Sequence, residues 1–325
     1  MKTERKNAPV FVIGCSRSGT TLLYHMLLSS GNFAVYRMES QILTLLEPRF
    51  RPLGDPRNKR KMLEAWYDTR LYTRSGLLPS EIEPRVMAEC NNGGDFLRII
   101  MEEMCRKQGV RRWAETTPEH LLYLRRIKET IPEALIIHVI RDGRDVALSW
   151  EKLSQIRPFP WDRKRPAIAA GIYWEWIVNQ GRQVGKTLAG DYLEVHYEDL
   201  VCKPKDVLAA LEPFLEHRLD YENIQQVAIG SVTSPNTAFK DGQQSPIGRW
   251  KSGFSAADAN AFENLVGGTL EELGYELSTA DACRRARPDL ARMRSAYRMY
   301  FESKQFLKTR TPAGKWFVTR DLSWV

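Results

Sequence analysis

The sequence predicts an α/β fold in which helices flank a central parallel sheet. One observation is a strand-like apolar run, a glycine-rich turn and a helical pattern in direct succession over residues 10–30, the opening of a βαβ unit. A second is the same order later in the chain, where the apolar run 134–140 is followed by Gly143 and another helical pattern. The 325 residues suffice for one large domain or two modest ones.

The first third of the chain predicts the start of this sheet and an insertion. Residues 10–13, VFVI, have the length and β-branched content of a buried parallel strand. Helical apolar spacing follows from Thr20 to Ser30, and Gly31 is expected to end the helix. FAVY at 33–36 predicts a second strand, and the Pro- and Arg-rich residues within 40–110 predict an inserted helical lid.

The remaining elements are predicted from periodicity and from turn residues. A short strand precedes a proline-started helix at Thr117, and further strands are expected at 134–140 and 192–196. Helices are expected after Gly143 and over 167–184, 204–217 and 256–273. Since no linker composition occurs before about residue 280, we expect one domain over 1–280 and a C-terminal extension over 281–325.

Composition excludes several classes of protein. Apolar residues make up 43% of the chain and charged residues 27%, which is ordinary for a globular protein. No run approaches the roughly 18 to 20 apolar residues of a membrane span, and the polar residues 1–9 do not resemble a signal peptide. The five cysteines are scattered without C-x-x-C spacing, which favours free thiols in a reducing, cytoplasmic compartment over disulfides or a zinc site.

The net charge of +8 resides in the C-terminal segment. Residues 284–325 hold 11 Lys+Arg and 3 Asp+Glu, whereas the rest of the chain carries 37 of each sign. Leu290, Met293, Tyr297 and Tyr300 have helical spacing, which predicts a basic amphipathic helix over 284–310 that packs its apolar face on the domain. The alternative is binding to an anionic membrane surface or an acidic partner. No nucleic-acid-binding motif accompanies the charge, so nucleic acid is not an expected partner.

The loop VFVIGCSRSGTT, Val10 to Thr21, is typical of an anion site. A strand that runs through a glycine turn into a helix presents backbone N–H groups and the positive helix end to an anion. The spacing is close to the nucleotide-binding pattern G-x-x-x-x-G-K-[ST], but Thr20 occupies the lysine position and Arg17 lies within the loop. Without that lysine, ATP hydrolysis is not expected, whereas Arg17 suits an anion that is bound without a metal.

A second anion-binding segment is predicted in IIHVIRDGRDVALSW. Arg141 stands where a strand meets a loop, and Ser149 lies two turns into the next helix, so the two side chains could share an anion. Because the carboxyl ends of neighbouring parallel strands meet at one crevice, Arg17 and Arg141 are expected to face the same ligand. Two such positions predict a nucleotide that is phosphorylated at two places.

These segments resemble those of sulfotransferases that use 3′-phosphoadenosine 5′-phosphosulfate (PAPS). The matching pieces keep the family's order over roughly residues 8–275, and the R-S-G-T-T loop is similar to the bacterial and the tyrosylprotein or carbohydrate branches. One departure is Thr116, since many members have a lysine before T-P. The pieces are GCSRSGTTLL, TTPEHL, IIHVIRDGRDVALSW, HYEDLVCKP and GRWKSGF.

The resemblance implies a P-loop-like fold, PAPS as co-substrate, no required metal and a set of site residues. The loop would hold the 5′-phosphosulfate and the later segment the 3′-phosphate, while one basic residue of GRWKSGF would close over the nucleotide. In that order, the residues are Arg17, Ser18, Gly19, Thr20 and Thr21; Arg141 and Ser149; and Arg249 or Lys251.

Sulfuryl transfer is an in-line displacement that needs charge stabilisation and a base. Arg17 would stabilise the charge that grows on the leaving oxygen. The expected base is Glu39, because related branches carry a glutamate about twenty residues past the loop and Glu39 lies 22 residues after Arg17. His120 and Glu115, beside the T-P turn, are the alternatives for the base.

Other functions remain open at this point. The acceptor could be a carbohydrate, glycolipid or natural-product hydroxyl, or a tyrosyl protein. Its binding site would be formed by the inserted residues 40–110 and 152–166. A metal-dependent kinase would need the missing lysine, and a non-catalytic nucleotide-binding protein would be expected to have lost some of the site residues.

Overall fold

The computed structural model describes residues 4–152, 159, 166–232, 245–278 and 288–317. Its core is a four-stranded, fully parallel sheet in the order β2-β1-β3-β4. The strands are β1 Val10–Gly14, β2 Ala114–Glu115, β3 Leu135–Ile140 and β4 Tyr192–His196. The predicted fold class, helices flanking a parallel sheet, is therefore confirmed.

Helices form most of the described residues and cover both faces of the sheet. The α-helices are α1 Thr20–Ser29, α2 Glu47–Phe50, α3 Pro56–Tyr67, α4 Arg70–Ser75, α5 Pro79–Glu89, α6 Gly93–Gln108, α7 Leu124–Thr130, α8 Gly143–Lys152, α9 Pro166–Gly185, α10 Tyr197–Cys202, α11 Pro204–Leu215, α12 Tyr221–Val227, α13 Trp250–Gly253, α14 Ala256–Glu272 and α15 Pro288–Arg310. A π-helical turn spans Ile42–Leu46, and 3₁₀ turns span Arg5–Asn7, Pro118–Tyr123, Gly230–Val232 and Pro312–Phe317.

The alternation of side chains along β1 divides the core into two layers. Phe11 and Ile13 point into a layer that includes the helices of 56–108 together with α9, α14 and α15. Val10 and Val12 point into the opposite layer, which is built from α1 and from the helices that follow β4. Both faces of the sheet are therefore buried, which explains the continuous apolar runs in its strands.

The strand predicted at 33–36 is wrong. Only Phe33 forms a bridge, to Arg112, and the strand beside β1 at this edge is the two-residue β2 instead. Beyond Phe33, the amide of Val35 donates to Oε1 of Gln108, a side chain of α6, at 2.7 Å. The apolar character of FAVY serves packing, because Phe33, Ala34 and Tyr36 are buried although the bridge to Arg112 does not extend into a strand.

The helix expected from Thr117 begins as a 3₁₀ turn, Pro118–Tyr123, and becomes α-helical only at Leu124. Most of the predicted acceptor loop 152–166, and residues 281–287 and 318–325 of the predicted extension, lie outside the described residues. Among the helices that are described, none is long and apolar enough to cross a membrane.

The described part of the C-terminal extension packs on the domain. Leu290, Met293 and Tyr297 of α15 are buried in the layer that contains α9 and α14. Arg294 pairs with Glu175 of α9 at 2.5 Å. The end of α15 is held by the guanidinium of Arg51, which donates to three carbonyl oxygens, those of Lys308 at 2.9 Å and of Thr309 and Thr311 at 2.5 Å each. Donors placed at a helix C-terminus satisfy carbonyls that lack partners within the helix.

Candidate active site

The loop between β1 and α1 lies at the carboxyl edge of the sheet. Its turn is closed by the amide of Ser18, which donates to the carbonyl of Cys15 at 3.0 Å. Arg17 and Gly19 have left-handed backbone conformations, with φ of 72° and 92°. Such alternation turns backbone amides to one side, as an anion-binding loop requires. Ser18 Oγ is buried and has no hydrogen-bond partner among the described residues.

Arg17 connects this loop to the predicted second anion segment. Its Nε donates to Ser149 Oγ of α8 at 3.1 Å, and its carbonyl accepts from Nη1 of Arg141 at 3.0 Å. Arg17 thus contacts both of the other residues that were predicted to meet it at one crevice. The pairing differs in detail from the expectation, because the contact of Ser149 is with Arg17 and not with Arg141.

Arg141 follows directly after β3 and is buried. Its Nη2 donates to the carbonyl of Pro246 at 2.7 Å, and its Cζ lies 4.5 Å from the centre of the Tyr197 ring. Tyr197 thereby fixes the plane of the guanidinium. The Nε of Arg141 is buried and has no partner within the described part of the chain. One donor of a firmly held guanidinium therefore remains available.

A third arginine, Arg249, belongs to the same group. Its segment is held by Asp145, whose carboxylate accepts the amides of Gly248 at 2.7 Å and Trp250 at 2.9 Å. Arg249 is half-buried, and its Nε is buried without a described partner. Lys251, the alternative candidate, is exposed, with Nζ 6.0 Å from the centre of the Trp250 ring. The structure thus brings Arg249 and not Lys251 to the arginine group.

The pKa of Arg17 reflects the charges around the loop. Burial, followed by repulsion from Arg141 and Arg249, lowers the pKa of Arg17, and Tyr197 and Glu39 act in the opposite direction. An arginine remains charged at neutral pH even so. Three cationic groups that repel one another are stabilised by an anion bound between them.

The two threonines of the loop occupy the first turn of α1. Thr20 is buried, with its Cγ2 against Gly14, and Thr21 is exposed. The first amides of a helix have no partners within the helix, so this turn offers donors to a ligand in front of the loop. Thr20 thus takes the lysine position with a short side chain that does not reach beyond the turn.

Glu39 lies within electrostatic range of Arg17 and is half-buried. Its Oε2 accepts a hydrogen bond from Nε2 of Gln41 at 2.7 Å. Gln41 has φ of 54°, and its amide donates to Thr117 Oγ1 at 3.1 Å. The carboxylate is therefore presented by a short segment that is tied to the T-P turn.

The other two base candidates, Glu115 and His120, form a buried pair that holds this segment. Glu115 accepts from the Ser40 hydroxyl at 2.8 Å, and its second oxygen lies 2.9 Å from Nδ1 of His120. Burial alone would raise the pKa of Glu115, but His120 and hydrogen bonds from Thr117 and Ser40 hold it below its usual value. Because Glu115 is surrounded by donors, its contacts suit positioning of the segment better than proton transfer.

Two buried polar atoms at this pair have no described hydrogen-bond partner. Nε2 of His120 is buried and has no partner among the described residues, so His120 remains a second candidate for the base. Thr116, which replaces the lysine usual in the resembling family, has a buried hydroxyl that is likewise without a described partner. Within the described residues there is no group of three or more His, Cys, Asp or Glu side chains that could hold a metal ion.

Comparison with known proteins identifies the family of this chain. A sequence model of the sulfotransferase family matches residues 9–221, which is well over half of the chain. The chain belongs to the sulfotransferase family. Sulfotransferase 1B1 of Mus musculus is 25% identical over 166 residues, which cover 42% of this chain and 56% of that protein. The match thus spans little more than half the length of the curated relative.

Two solved structures are similar to the chain, and the first of them shows the same fold. The sulfotransferase domain from the curacin biosynthetic pathway superposes with a TM-score of 0.52 at 16% identity, over 83% of this chain and 98% of that one. The sulfotransferase domain of the Synechococcus PCC 7002 olefin synthase gives a TM-score of 0.48 at 19% identity, over 91% of this chain and 97% of the other.

Sequence reasoning assigned no role to two residues that shape the site. Tyr197 supports Arg141 and lies against Gly19, and Trp150 donates from Nε1 to the carbonyl of Ser16 at 3.1 Å. Tyr197 stands in the quoted HYEDL motif, so its position was visible, but the direction of its ring was not. Trp150 directly follows Ser149 and closes the loop from the side of α8.

Gly19→Ala should destabilise this protein more than Gly31→Ala. Both glycines have left-handed backbones, with φ of 92° and 84°, but a Cβ at 19 would lie 2.2 Å from Cδ2 of Tyr197, whereas nothing lies within 4 Å at 31. Gly31→Ala should cost only the backbone strain of about 1–2 kcal/mol. Gly19→Ala should cost about 1–3 kcal/mol more, from overpacking. Urea unfolding of both variants checks this, and equal losses would show that the ring moves aside freely.

Proposed function

We propose that this chain transfers the sulfuryl group of PAPS to an acceptor hydroxyl. The observation that carries the proposal is the contact of Arg17 with both Arg141 and Ser149 at the carboxyl edge of the sheet. The segment of Arg249 is bound to Asp145 of the same helix as Ser149. Buried donors without described partners, Ser18 Oγ and the Nε atoms of Arg141 and Arg249, accompany these charges. Buried donors are normally satisfied, so these three atoms fit a ligand rich in acceptor oxygens.

The donor nucleotide would be held at two places. The loop and the first turn of α1 fit the 5′-phosphosulfate, and the region between Arg141 and Ser149 fits the 3′-phosphate. Arg249 is the better of the two closing residues, because Lys251 is exposed. We propose that no divalent metal takes part, since the guanidinium groups supply the positive charge. The loop residues in this role are Arg17, Ser18, Gly19, Thr20 and Thr21.

The residues at the site match the needs of an in-line displacement. The acceptor oxygen forms a bond to sulfur while the bond from sulfur to the bridging oxygen breaks, and 3′,5′-diphosphoadenosine (PAP) leaves. Arg17 and the loop donors would stabilise the charge on the departing oxygen. Glu39 would take the proton of the acceptor hydroxyl. Its half-buried position near Arg17 supports this role.

The acceptor is proposed as a carbohydrate, glycolipid or natural-product hydroxyl, with a tyrosyl protein as the alternative. We propose residues 1–280 as the sulfotransferase domain, with residues 40–110 forming the lid on the acceptor side, and 281–325 as its extension. The described cysteines are free thiols, three of them buried, and this supports a cytoplasmic protein.

Incubation with ³⁵S-labelled PAPS and a panel of sugar, lipid and peptide acceptors tests the proposed reaction. Transfer of label to at least one hydroxyl acceptor, with PAP formed in equal amount, is expected in the presence of EDTA. Calorimetry with PAP should show binding under the same metal-free conditions. Binding of ATP that requires Mg²⁺, without binding of PAP, would replace the proposal by the kinase alternative.

A further inference from the structure

Helix α15 has an outward face that carries large apolar side chains. Its buried stripe consists of Leu290, Met293 and Tyr297, and the opposite stripe holds Met299 and Phe306, seven residues apart. Their exposed fractions are 68% and 56%, and Trp316 in the following turn is 73% exposed. The other exposed large apolar side chains outside α15 and the turn after it, among the described residues, are Val35, Leu78 and Val227, which are far apart in sequence. A cluster of this kind is typical of an interaction surface.

Positive charge accompanies these apolar side chains. Arg292 and Arg310 lie on the same outward stripe, one on each side of Met299 and Phe306. Residues 288–317 hold seven Lys+Arg against two Asp+Glu. Lys315 lies with Nζ 5.7 Å from the centre of the Trp316 ring, so a charge and an exposed aromatic side chain stand together. The occupant of such a surface has to be both anionic and apolar.

We propose that the outward face of α15, with Trp316, binds the surface of an anionic lipid bilayer. A helix that lies in the interface buries apolar side chains below the headgroups and keeps its arginines at the level of the phosphates. Alternation of arginine and apolar residues along one stripe matches this geometry. A bilayer offers phosphate groups and apolar chains along the whole stripe. A peptide with acidic side chains only would leave Met299, Phe306 and Trp316 without apolar contacts.

The inner side of α15 is connected to the phosphate loop through aromatic side chains. The Phe301 ring of α15 lies 5.1 Å from that of Tyr173, and the Tyr173 ring lies 5.1 Å from that of Trp150. Trp150 in turn bonds the carbonyl of Ser16 in the loop. A series of three aromatic rings, those of Phe301, Tyr173 and Trp150, thus connects α15 to the loop. Binding to lipid would hold the domain and its loop at the membrane surface. The proposed lipid-binding surface does not depend on the proposed PAPS chemistry.

Vesicle co-sedimentation of the full chain tests the surface. Vesicles of phosphatidylcholine with phosphatidylglycerol should bind the protein at least about tenfold better than vesicles of phosphatidylcholine alone. The double variant Met299→Ser/Phe306→Ser and the double variant Arg292→Gln/Arg310→Gln should each weaken binding at least about tenfold. Matched controls, Leu78→Ser/Val227→Ser for apolar exposure and Arg60→Gln/Lys61→Gln for charge, should bind like the original chain.

Two outcomes would overturn the inference. One is equal binding of the original chain and the Met299→Ser/Phe306→Ser variant to the anionic vesicles, or no binding by either. The other is a dimer that sediments in analytical ultracentrifugation and is lost in this variant, which would assign the surface to a second copy. Thermal unfolding of each variant, together with PAP calorimetry, shows whether the domain stays intact, so failure here is separable from failure of the proposed donor.

Discussion

Arg141→Ala should weaken PAP binding by about 30-fold to several-thousand-fold, which corresponds to about 2–5 kcal/mol. The side chain offers a buried Nε without a described partner, and its Nη1 holds the carbonyl of Arg17. The variant therefore loses a contact to the 3′-phosphate and loosens the loop that holds the 5′ end. Calorimetry in EDTA measures the effect directly.

Arg112→Ala provides a closely matched control. Arg112 is also a buried arginine that donates to two backbone carbonyls, those of Ala8 and Leu215, and it lies 5.1 Å from the centre of the Phe33 ring. It is on the opposite side of β1 from Arg141, near β2 and away from the loop. Its loss should lower the free energy of unfolding and leave PAP affinity within about twofold. Equal losses of PAP affinity in the two variants would show that Arg141 acts through stability alone.

Glu39→Gln should lower kcat by about 10²- to 10⁴-fold and leave the PAP dissociation constant nearly unchanged. Glutamine keeps the size of the side chain and can still bond Gln41, but it cannot accept the proton of the acceptor hydroxyl. Single-turnover transfer from labelled PAPS separates this chemical step from product release. Glu83→Gln changes another half-buried glutamate, which lies in α5, and should retain full turnover.

Normal turnover in Glu39→Gln would remove Glu39 as the base. His120→Asn would then be the informative variant, because Nε2 of His120 is buried without a described partner. A loss confined to His120→Asn would transfer the role of base to His120, with Glu115 as its positioning residue.

The sheet could be predicted from the sequence where burial and pairing coincide. VFVI and LIIHVI are buried on both faces and paired on both sides, so an apolar run identifies them correctly. FAVY has a similar composition, and its buried side chains belong to the two core layers. The amide of Val35, however, donates to the Gln108 side chain and not to a neighbouring strand. Local composition reports burial, and it does not report which backbone lies alongside.

The sequence predicts those site residues whose positions follow from the ends of the strands. Arg17 and Arg141 follow strands, and the topology of a parallel sheet brings strand ends together. The partner of Ser149 depends on side-chain rotamers, which the sequence does not set, and so does the ring of Tyr197 between Gly19 and Arg141. The contacts of Glu115 with Ser40 and His120 join segments far apart in sequence, and no local pattern indicates them.

A crystal structure of this protein with PAP tests the two-position nucleotide site most directly. The 5′-phosphate is predicted against the turn of residues 15–21, and the 3′-phosphate within hydrogen-bond distance of Arg141 Nε and near Ser149. Density for PAP elsewhere on the protein, or a 3′-phosphate that faces solvent with Arg141 still bonded only to Arg17 and Pro246, would contradict the account.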